Sequence, residues 1–240
     1  MNTKSIRLAV LPVLLSATFT ASAADTLIRP RASLGFASYD LAFTQSGAAI
    51  SDSSYMSGGF GVTIAQDKLY FDFAYNTSLG ATFDNGGVDD DFNRTDLSLT
   101  VGTALNGGLS IFGGYKNGST EYFNYFGPSA NMHFDTSGLF FGAGISNSIN
   151  DNSSISFNGA IALLDGSLTD DGINPYDATA ATVGLSLGAS YNYYLNNDSG
   201  FSLKGTYQSY NFVDWADANY NIPDTVESII AVEASYFFNF

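Results

Sequence analysis

The 240-residue sequence contains no cysteine, a single histidine, a single tryptophan and only eight lysines and arginines. Without cysteine there are no disulfides, so an exported form of this chain needs another source of rigidity; a closed backbone hydrogen-bond ladder suffices. The shortage of basic residues sets 23 acidic side chains against 8 basic ones, a formal net charge of −15. A surface of that sign repels phosphate backbones, which excludes nucleic acid as a partner. Long apolar runs are missing too. Although 45% of the residues are hydrophobic, no stretch beyond the N-terminus approaches 18 consecutive apolar residues, which excludes helices that cross a membrane. Charged residues make up only 13% and aromatic residues 15%, a mixture that suits strands with one apolar and one weakly polar face better than a helical bundle.

The N-terminus departs from this pattern. Lys4 and Arg7 form a short basic region, Leu8 to Leu15 an apolar run interrupted by Pro12, and Ala21-Ser22-Ala23 a small-x-small site. This is the layout of a secretory signal peptide, and the apolar run is too short to span a bilayer. Residues 1–23 are therefore expected to be removed, with Ala24 the first mature residue. The remaining 24–240 form one domain, with no linker and no second unit, and carry 6 basic against 23 acidic residues, a net charge of −17.

Through that domain the dominant signal is a period of two. Val183, Leu185, Leu187, Ala189, Tyr191, Tyr193 and Leu195 alternate with Gly184, Ser186, Gly188, Ser190, Asn192 and Tyr194. Leu69, Phe71, Phe73 and Tyr75 alternate with Tyr70, Asp72, Ala74 and Asn76, and Leu139, Phe141, Ala143 and Ile145 with Phe140, Gly142, Gly144 and Ser146. Successive strand side chains point to opposite faces, so each segment has an apolar side and a small or polar side. A soluble sandwich alternates similarly. Here the apolar faces carry tyrosines near segment ends (Tyr75, Tyr115, Tyr191, Tyr193), and the opposite faces are mostly Gly, Ala, Ser and Thr, which fit a crowded lumen better than a soluble surface.

Ten such segments are expected: 31–44, 54–66, 68–80, 93–105, 108–120, 135–148, 153–165, 180–195, 200–213 and 226–240. Eight would require two pairs to merge. The connections alternate between short turns, such as Gln66-Asp67-Lys68, Asn106-Gly107 and Asn150-Asp151-Asn152, and longer loops near 45–53, 81–92, 121–134, 166–179 and 214–225. The reading is an all-β, antiparallel, up-and-down transmembrane barrel with turns at one end and loops at the other.

Ile230, Val232, Ala234, Tyr236, Phe238 and Phe240 share one face of the last segment. This alternating aromatic strand ending in Phe resembles the C-terminal signature of Gram-negative outer-membrane β-barrel proteins. The resemblance implies an outer-membrane address, contact with outer-membrane lipids and lipopolysaccharide, and recognition of Tyr236, Phe238 and Phe240 by the barrel assembly machinery. It implies no one activity, because one fold carries many functions.

Parity places Asp72, Arg94, Asp96, Lys116, Lys204 and Glu233 on lumen-facing positions, together with Phe112, Phe140 and Phe237. A Lys or Arg on the lipid face costs about 2–4 kcal/mol at the midplane, which supports the same assignment. Inside, such charges are expected to pair. They read either as a network holding the wall or as the lining of a narrow pore, and the three phenylalanines favour a constricted lumen.

Catalytic signals are sparse. His133-Phe134-Asp135 puts an imidazole and a carboxylate on one face of a strand at the loop rim, and Asp89-Asp90-Asp91 offers carboxylates in another long loop. The set is similar to the omptin proteases, ten-stranded barrels with an Asp pair and an Asp-His pair at the rim. The match is incomplete: the His precedes its Asp and the loops are shorter. A lipid A deacylase of Ser-His type has the same single His and no supporting motif. Asp84-Asn85-Gly86-Gly87 has part of a calcium loop but neither its spacing nor its closing Glu. Asp170, Asp171, Asp177, Asp214, Asp217, Asp224 and Glu227 are expected in solvated acidic loops that could gather divalent cations, and Trp215 and Tyr220 at the outer interface. No catalytic site, metal or cofactor is expected. The expected role is structural or surface-interacting, with passage of small solutes; the alternatives are a narrow porin-like channel and an outer-membrane hydrolase.

Overall fold

The computed structural model describes residues 26–44, 49–84, 89–125, 130–170, 176–195, 198–216 and 222–240, the side chains of Ala49, Asp84, Asp89, Asp90 and Tyr176 excepted. The signal sequence, Tyr220, Asp171, Asp217 and the centre of Asp84-Asn85-Gly86-Gly87 lie outside the described residues.

The strands are β1 (Thr26–Phe43), β2 (Ala49–Gln66), β3 (Leu69–Leu79), β4 (Ala81–Asp84), β5 (Asp89–Ala104), β6 (Leu109–Tyr122), β7 (Met132–Asn150), β8 (Ser153–Asp170), β9 (Tyr176–Tyr194), β10 (Ser199–Ala216) and β11 (Thr225–Phe238). Neighbours in sequence pair antiparallel, and β11 returns to β1, with Arg31 opposite Phe237 and Phe43 opposite Thr225. The ladder runs on past the last strand: Ile28 and Phe240 exchange backbone hydrogen bonds of 3.0 and 2.9 Å. Both β3 and β4 pair with β5, so they are halves of one wall strand, interrupted at Gly80, whose φ of +60° is a conformation glycine adopts without a Cβ penalty. The wall is thus a closed ten-stranded antiparallel barrel.

One end carries the chain termini and the tight turns. Asp67 adopts φ +54° in the first of these, and in another Asn150 accepts hydrogen bonds from the Asn152 amide (2.9 Å) and the Ser153 hydroxyl (3.0 Å). The other end carries the loops, which are shorter than the sequence suggested. β1, β2, β8 and β10 each run 18 residues and β7 and β9 run 19, so residues expected in loops, His133, Asp170, Asp177, Asp214 and Glu227 among them, lie on strands. The physical reason is a change of sidedness. A membrane crossing takes only about 9–11 residues of tilted strand. Over that length the outer face is apolar, as at Leu34 and Phe36 on β1 or Val183, Leu185 and Leu187 on β9, all exposed. Toward the loops the alternation continues with the signs exchanged. Tyr39 and Leu41 turn inward and are fully buried while Ser38 and Asp40 face out; on β9, Ala178 and Ala180 are buried while Asp177 and Thr179 are exposed. A search for apolar residues on the outer face loses the strand at that point.

The inward half of this pattern produces a buried, mostly aromatic core inside the loop end. Tyr39, Tyr55, Phe83, Phe92, Tyr122, Met132, Phe134, Leu164, Leu168, Phe212 and Trp215 pack together there. Phe134 meets Phe212 edge-on with ring centroids 5.4 Å apart, and Phe92 meets Tyr39 and Tyr122 at 5.7 and 5.4 Å. Trp215, expected at the outer interface, points inward instead. A bulge in β10 around Asp214 (φ +55°) shifts the register between Val213 and Ala216 and reverses the parity, and the indole Nε1 donates to Thr225 Oγ1 at 3.3 Å.

Glycines make room for the rings. Tyr70 lies over Gly102, Phe112 over Gly142, Phe140 over Gly114 and Tyr210 over Gly184, each glycine directly opposite its ring on the neighbouring strand. A Cβ at any of these glycines would occupy the ring's place, so the small face of each alternating segment is a set of seats for inward aromatics.

Candidate functional site

Below the buried core the lumen changes character. A cavity of about 760 Å³ runs from the turn end to mid-barrel. Its wall is largely hydroxyl and amide, including Thr63, Ser98, Thr100, Ser156, Asn158 and Asn192, interrupted by Phe112 and Phe140. These two rings contact each other at 6.3 Å, while Phe237 is buried at the turn end beneath the Arg29 guanidinium, 4.7 Å from its centroid.

A charged layer separates cavity from core. Arg94 on β5 is 1% exposed and makes five side-chain contacts: Nε and Nη2 donate to the two Asp96 oxygens at 2.9 and 2.8 Å, Nη1 donates to Glu227 Oε1 and Thr120 Oγ1 at 2.8 Å each, and the guanidinium lies 4.6 Å from the Tyr39 ring centroid. Glu227 on β11 is fully buried, so the acidic loop residue expected from the sequence is the inward end of a buried ion pair spanning the barrel. Beside this layer Lys116 on β6 donates to Gln208 Oε1 at 2.5 Å and Tyr210 Oη at 2.7 Å, with its ammonium 4.4 Å from the Tyr210 ring centroid.

Lower down, Asp72 on β3 accepts a bidentate pair from Arg31 on β1 at 2.7 and 3.0 Å, and a third bond from Thr63 Oγ1 at 2.5 Å. Lys204 and Glu233 stand opposite each other on β10 and β11 and line the cavity. Of the six charges singled out from sequence, Asp72, Arg94 and Asp96 sit in ion pairs; among the described residues Lys116, Lys204 and Glu233 do not. Sequence reasoning missed Arg29, Arg31 and Glu227. The signal for the arginines was present, since both share the inward parity of β1. The first expected segment starts at residue 31, which leaves Arg29 outside it and Arg31 at its edge. Glu227 was missed because the apolar-out pattern fails at its height.

His133 lies on β7, in register with Glu121 and Thr169. Met132 and Phe134, its neighbours, are in the core, so His133 and Asp135 face out of the barrel. The imidazole Nε2 is 3.9 Å from Glu121 Oε1, both side chains about one third exposed. Asp91 also faces outward and is exposed, with its carbonyl accepting from the Phe123 amide at 3.0 Å. Among the described residues no three His, Asp or Glu side chains come together in a way that could hold a metal ion.

No protein-family model matches the sequence, and no curated protein matches it. Solved structures do. The outer membrane protease OmpT from Escherichia coli superposes with a TM-score of 0.61 at 11% identity, over 91% of this chain and 98% of that one. The translocator domain of the autotransporter NalP from Neisseria meningitidis gives 0.46 at 10% identity over 88% of each chain, and Neisserial surface protein A 0.39 at 11% over 86% and 95%. The fold is that of an outer-membrane β-barrel protein.

Proposed function

We propose that this chain is an outer-membrane barrel whose turn end faces the periplasm, whose lumen is closed to free diffusion, and whose loop-end half stands out of the lipid as a rigid acidic head available to other molecules at the cell surface. The observation that carries this reading is the stopper. Tyr39, Phe92, Tyr122, Phe134, Phe212 and Trp215 are buried together in the lumen above a fully coordinated Arg94, and side chains packed at the density usual for protein interiors close a lumen to diffusing solutes. The head follows from strand length, because 18–19 residues are nearly twice what a bilayer crossing uses. Its outward side chains, including Asp40, Asp52, Asp91, Glu121, Asp135 and Asp177, suit water and lipopolysaccharide-bound cations rather than acyl chains. The belt beneath, with Tyr191, Tyr193, Phe201, Phe238 and Phe240 exposed near the turn end, matches an inner interfacial girdle, and the Tyr236-Phe238-Phe240 face is what the assembly machinery would read.

Planar-bilayer recording tests the reading. The folded protein inserts without conductance steps; regular single-channel steps would favour the second reading, a narrow channel, for which the cavity reaching mid-barrel is the supporting observation. Cell fractionation places the protein in the outer membrane with heat-modifiable mobility, and recovery from the soluble periplasm overturns the address. We read the barrel as non-enzymatic. The likeness to a protease is one of fold, and the outward direction of His133 gives it no enclosed site in which to orient a nucleophile.

A further inference from the structure

The positive charge of this protein is distributed very unevenly. Of the six basic residues after Ala23, five point into the lumen (Arg29, Arg31, Arg94, Lys116 and Lys204) and the sixth, Lys68, sits in a turn. Four carboxylates accompany them in the cavity and the Arg94 layer, Asp72, Asp96, Glu227 and Glu233, and a fifth, Asp170, is buried on the inward face of β8 nearer the loops. Among the described residues the cavity and the Arg94 layer together hold five basic residues against four acids, whereas the outward face of the loop-end half carries Asp40, Asp52, Asp91, Glu121, Asp135 and Asp177.

The three arginines are satisfied. Arg94 and Arg31 hold carboxylates, and Arg29 donates to Asn239 Oδ1 at 2.7 Å and stacks on Phe237. The two lysines are not. An ammonium has three donors. Lys116 spends two on the neutral acceptors Gln208 and Tyr210, which leaves one donor and the whole charge without a counter-ion in ion-pair reach. Lys204 lines the cavity without a hydrogen bond or ion pair among the described residues; Glu233, its cross-strand neighbour, also lines the cavity and makes no ion pair there. Arg31 and Arg94 are tied to carboxylates at hydrogen-bond distance and the two lysines are not, so both ammonium groups are left with donors and charge to offer. Around the lysines stand neutral donors suited to oxygen-rich ligands, Ser98, Ser190 and Thr206. Strand β10 carries Lys204, Thr206, Gln208 and Tyr210 on one inward face, so the second lysine lies below the first's partners along a single wall. The cavity holds a small solute with water to spare and is stoppered above.

We propose that this blind cavity binds a small phosphate-bearing oxyanion, held by Lys116 and Lys204 as point charges with Gln208 and the surrounding hydroxyls completing its hydrogen bonds. From the closed-barrel reading it takes only the direction of entry, the turn end; binding itself is independent of which compartment that end faces.

The test is calorimetric titration of the full refolded chain in detergent with inorganic phosphate, at constant ionic strength set by chloride, alongside acetate as a carboxylate arm. Three variants each remove one positive charge: Lys204→Gln, Lys116→Gln and, outside the cavity, Lys68→Gln. Heat-modifiable mobility verifies that each is folded. Phosphate is expected to bind saturably to the wild type and to K68Q, and at least tenfold more weakly to K204Q and K116Q. Tighter binding of acetate than of phosphate would overturn the phosphate assignment. Absence of saturable phosphate binding, or equal affinity in K204Q and K68Q, would overturn the site. Because K68Q carries the same charge change, a general electrostatic effect does not reproduce the expected pattern.

Discussion

The two halves of this barrel solve opposite solvation problems with the same backbone. In the turn-end half the outside is apolar, with Leu34, Phe60, Phe141 and Ile161 exposed, and the inside is a hydroxyl-lined cavity. In the loop-end half the outside carries Asp40, Asp52, Asp91 and Asp177, and the inside is a packed core around Phe134 and Phe212. One half is built for lipid and the other resembles a small water-soluble barrel; the alternation runs on between them, with irregularities in β1 at Leu41 and Ala42, in β10 at its bulge and in the β3–β4 wall at Gly80. The difference shows that side-chain parity fixes which residues share a face, while the surroundings decide which face is apolar. The Arg94 layer marks the junction, with the fully buried Glu227 on its core side and the partly exposed Asp96 on its cavity side.

The largest effect is expected at that junction. Arg94→Met leaves Glu227 fully buried without its partner, and removing one member of a buried pair costs about 3–5 kcal/mol. Urea unfolding of the protein in lipid vesicles measures it. Arg94→Met combined with Glu227→Gln should recover a large part of the loss, because no uncompensated charge remains at position 227. A single variant as stable as the wild type would mean that water reaches the layer and that the division between the halves is not dry.

This division also explains what was readable before the structure. The ten strands and their order were legible because in the lipid half an apolar outer face repeats on each of them, as on β9 from Val183 to Leu195. The extra strand length was not. Tyr39, Phe92, Tyr122 and Phe134 stand in the phase of small lumen residues, so an apolar-outward template reads them as the start of loops. Glu227 was hidden for the same reason, whereas Arg31 shares the legible inward parity of β1 and stands at the edge of the first expected segment. Trp215 required knowing of a one-residue bulge, for which Asp214 at positive φ left no mark in composition.

The second prediction compares the two interiors with one substitution. Phe134→Ala empties space within a buried aromatic cluster and is expected to cost about 3–5 kcal/mol. Phe112→Ala removes a ring that already borders the cavity, where water can follow, and is expected to cost clearly less. Equal losses in the same unfolding assay would show that the cavity is as dry as the core.

The two exteriors are compared on a single strand. Leu187 and Thr179 both face outward on β9 and are both exposed. Leu187→Lys puts an ammonium against acyl chains, at about 2–4 kcal/mol near the midplane, whereas Thr179→Lys adds one to a face that meets water, at about 0–1 kcal/mol. Reversal of that order would place the lipid boundary at the wrong height.

The smallest effect is expected at His133, and it bears on whether the head carries chemistry. The imidazole and Glu121 are both partly exposed and 3.9 Å apart, and solvent-exposed ion pairs contribute about 0–1 kcal/mol. His133→Ala is therefore expected to change unfolding stability by less than about 0.5 kcal/mol, as surface substitutions generally do. A general base must reach the proton it takes, and it works best where water is excluded and a third group orients it. His133 looks away from the core, so each of those conditions would have to come from outside the barrel. Peptide and lipid hydrolysis by the purified protein, compared between wild type and His133→Ala, decides the matter. Hydrolysis present in the first and lost in the second, at unchanged stability, would make the acidic head a site of reaction rather than a surface of contact.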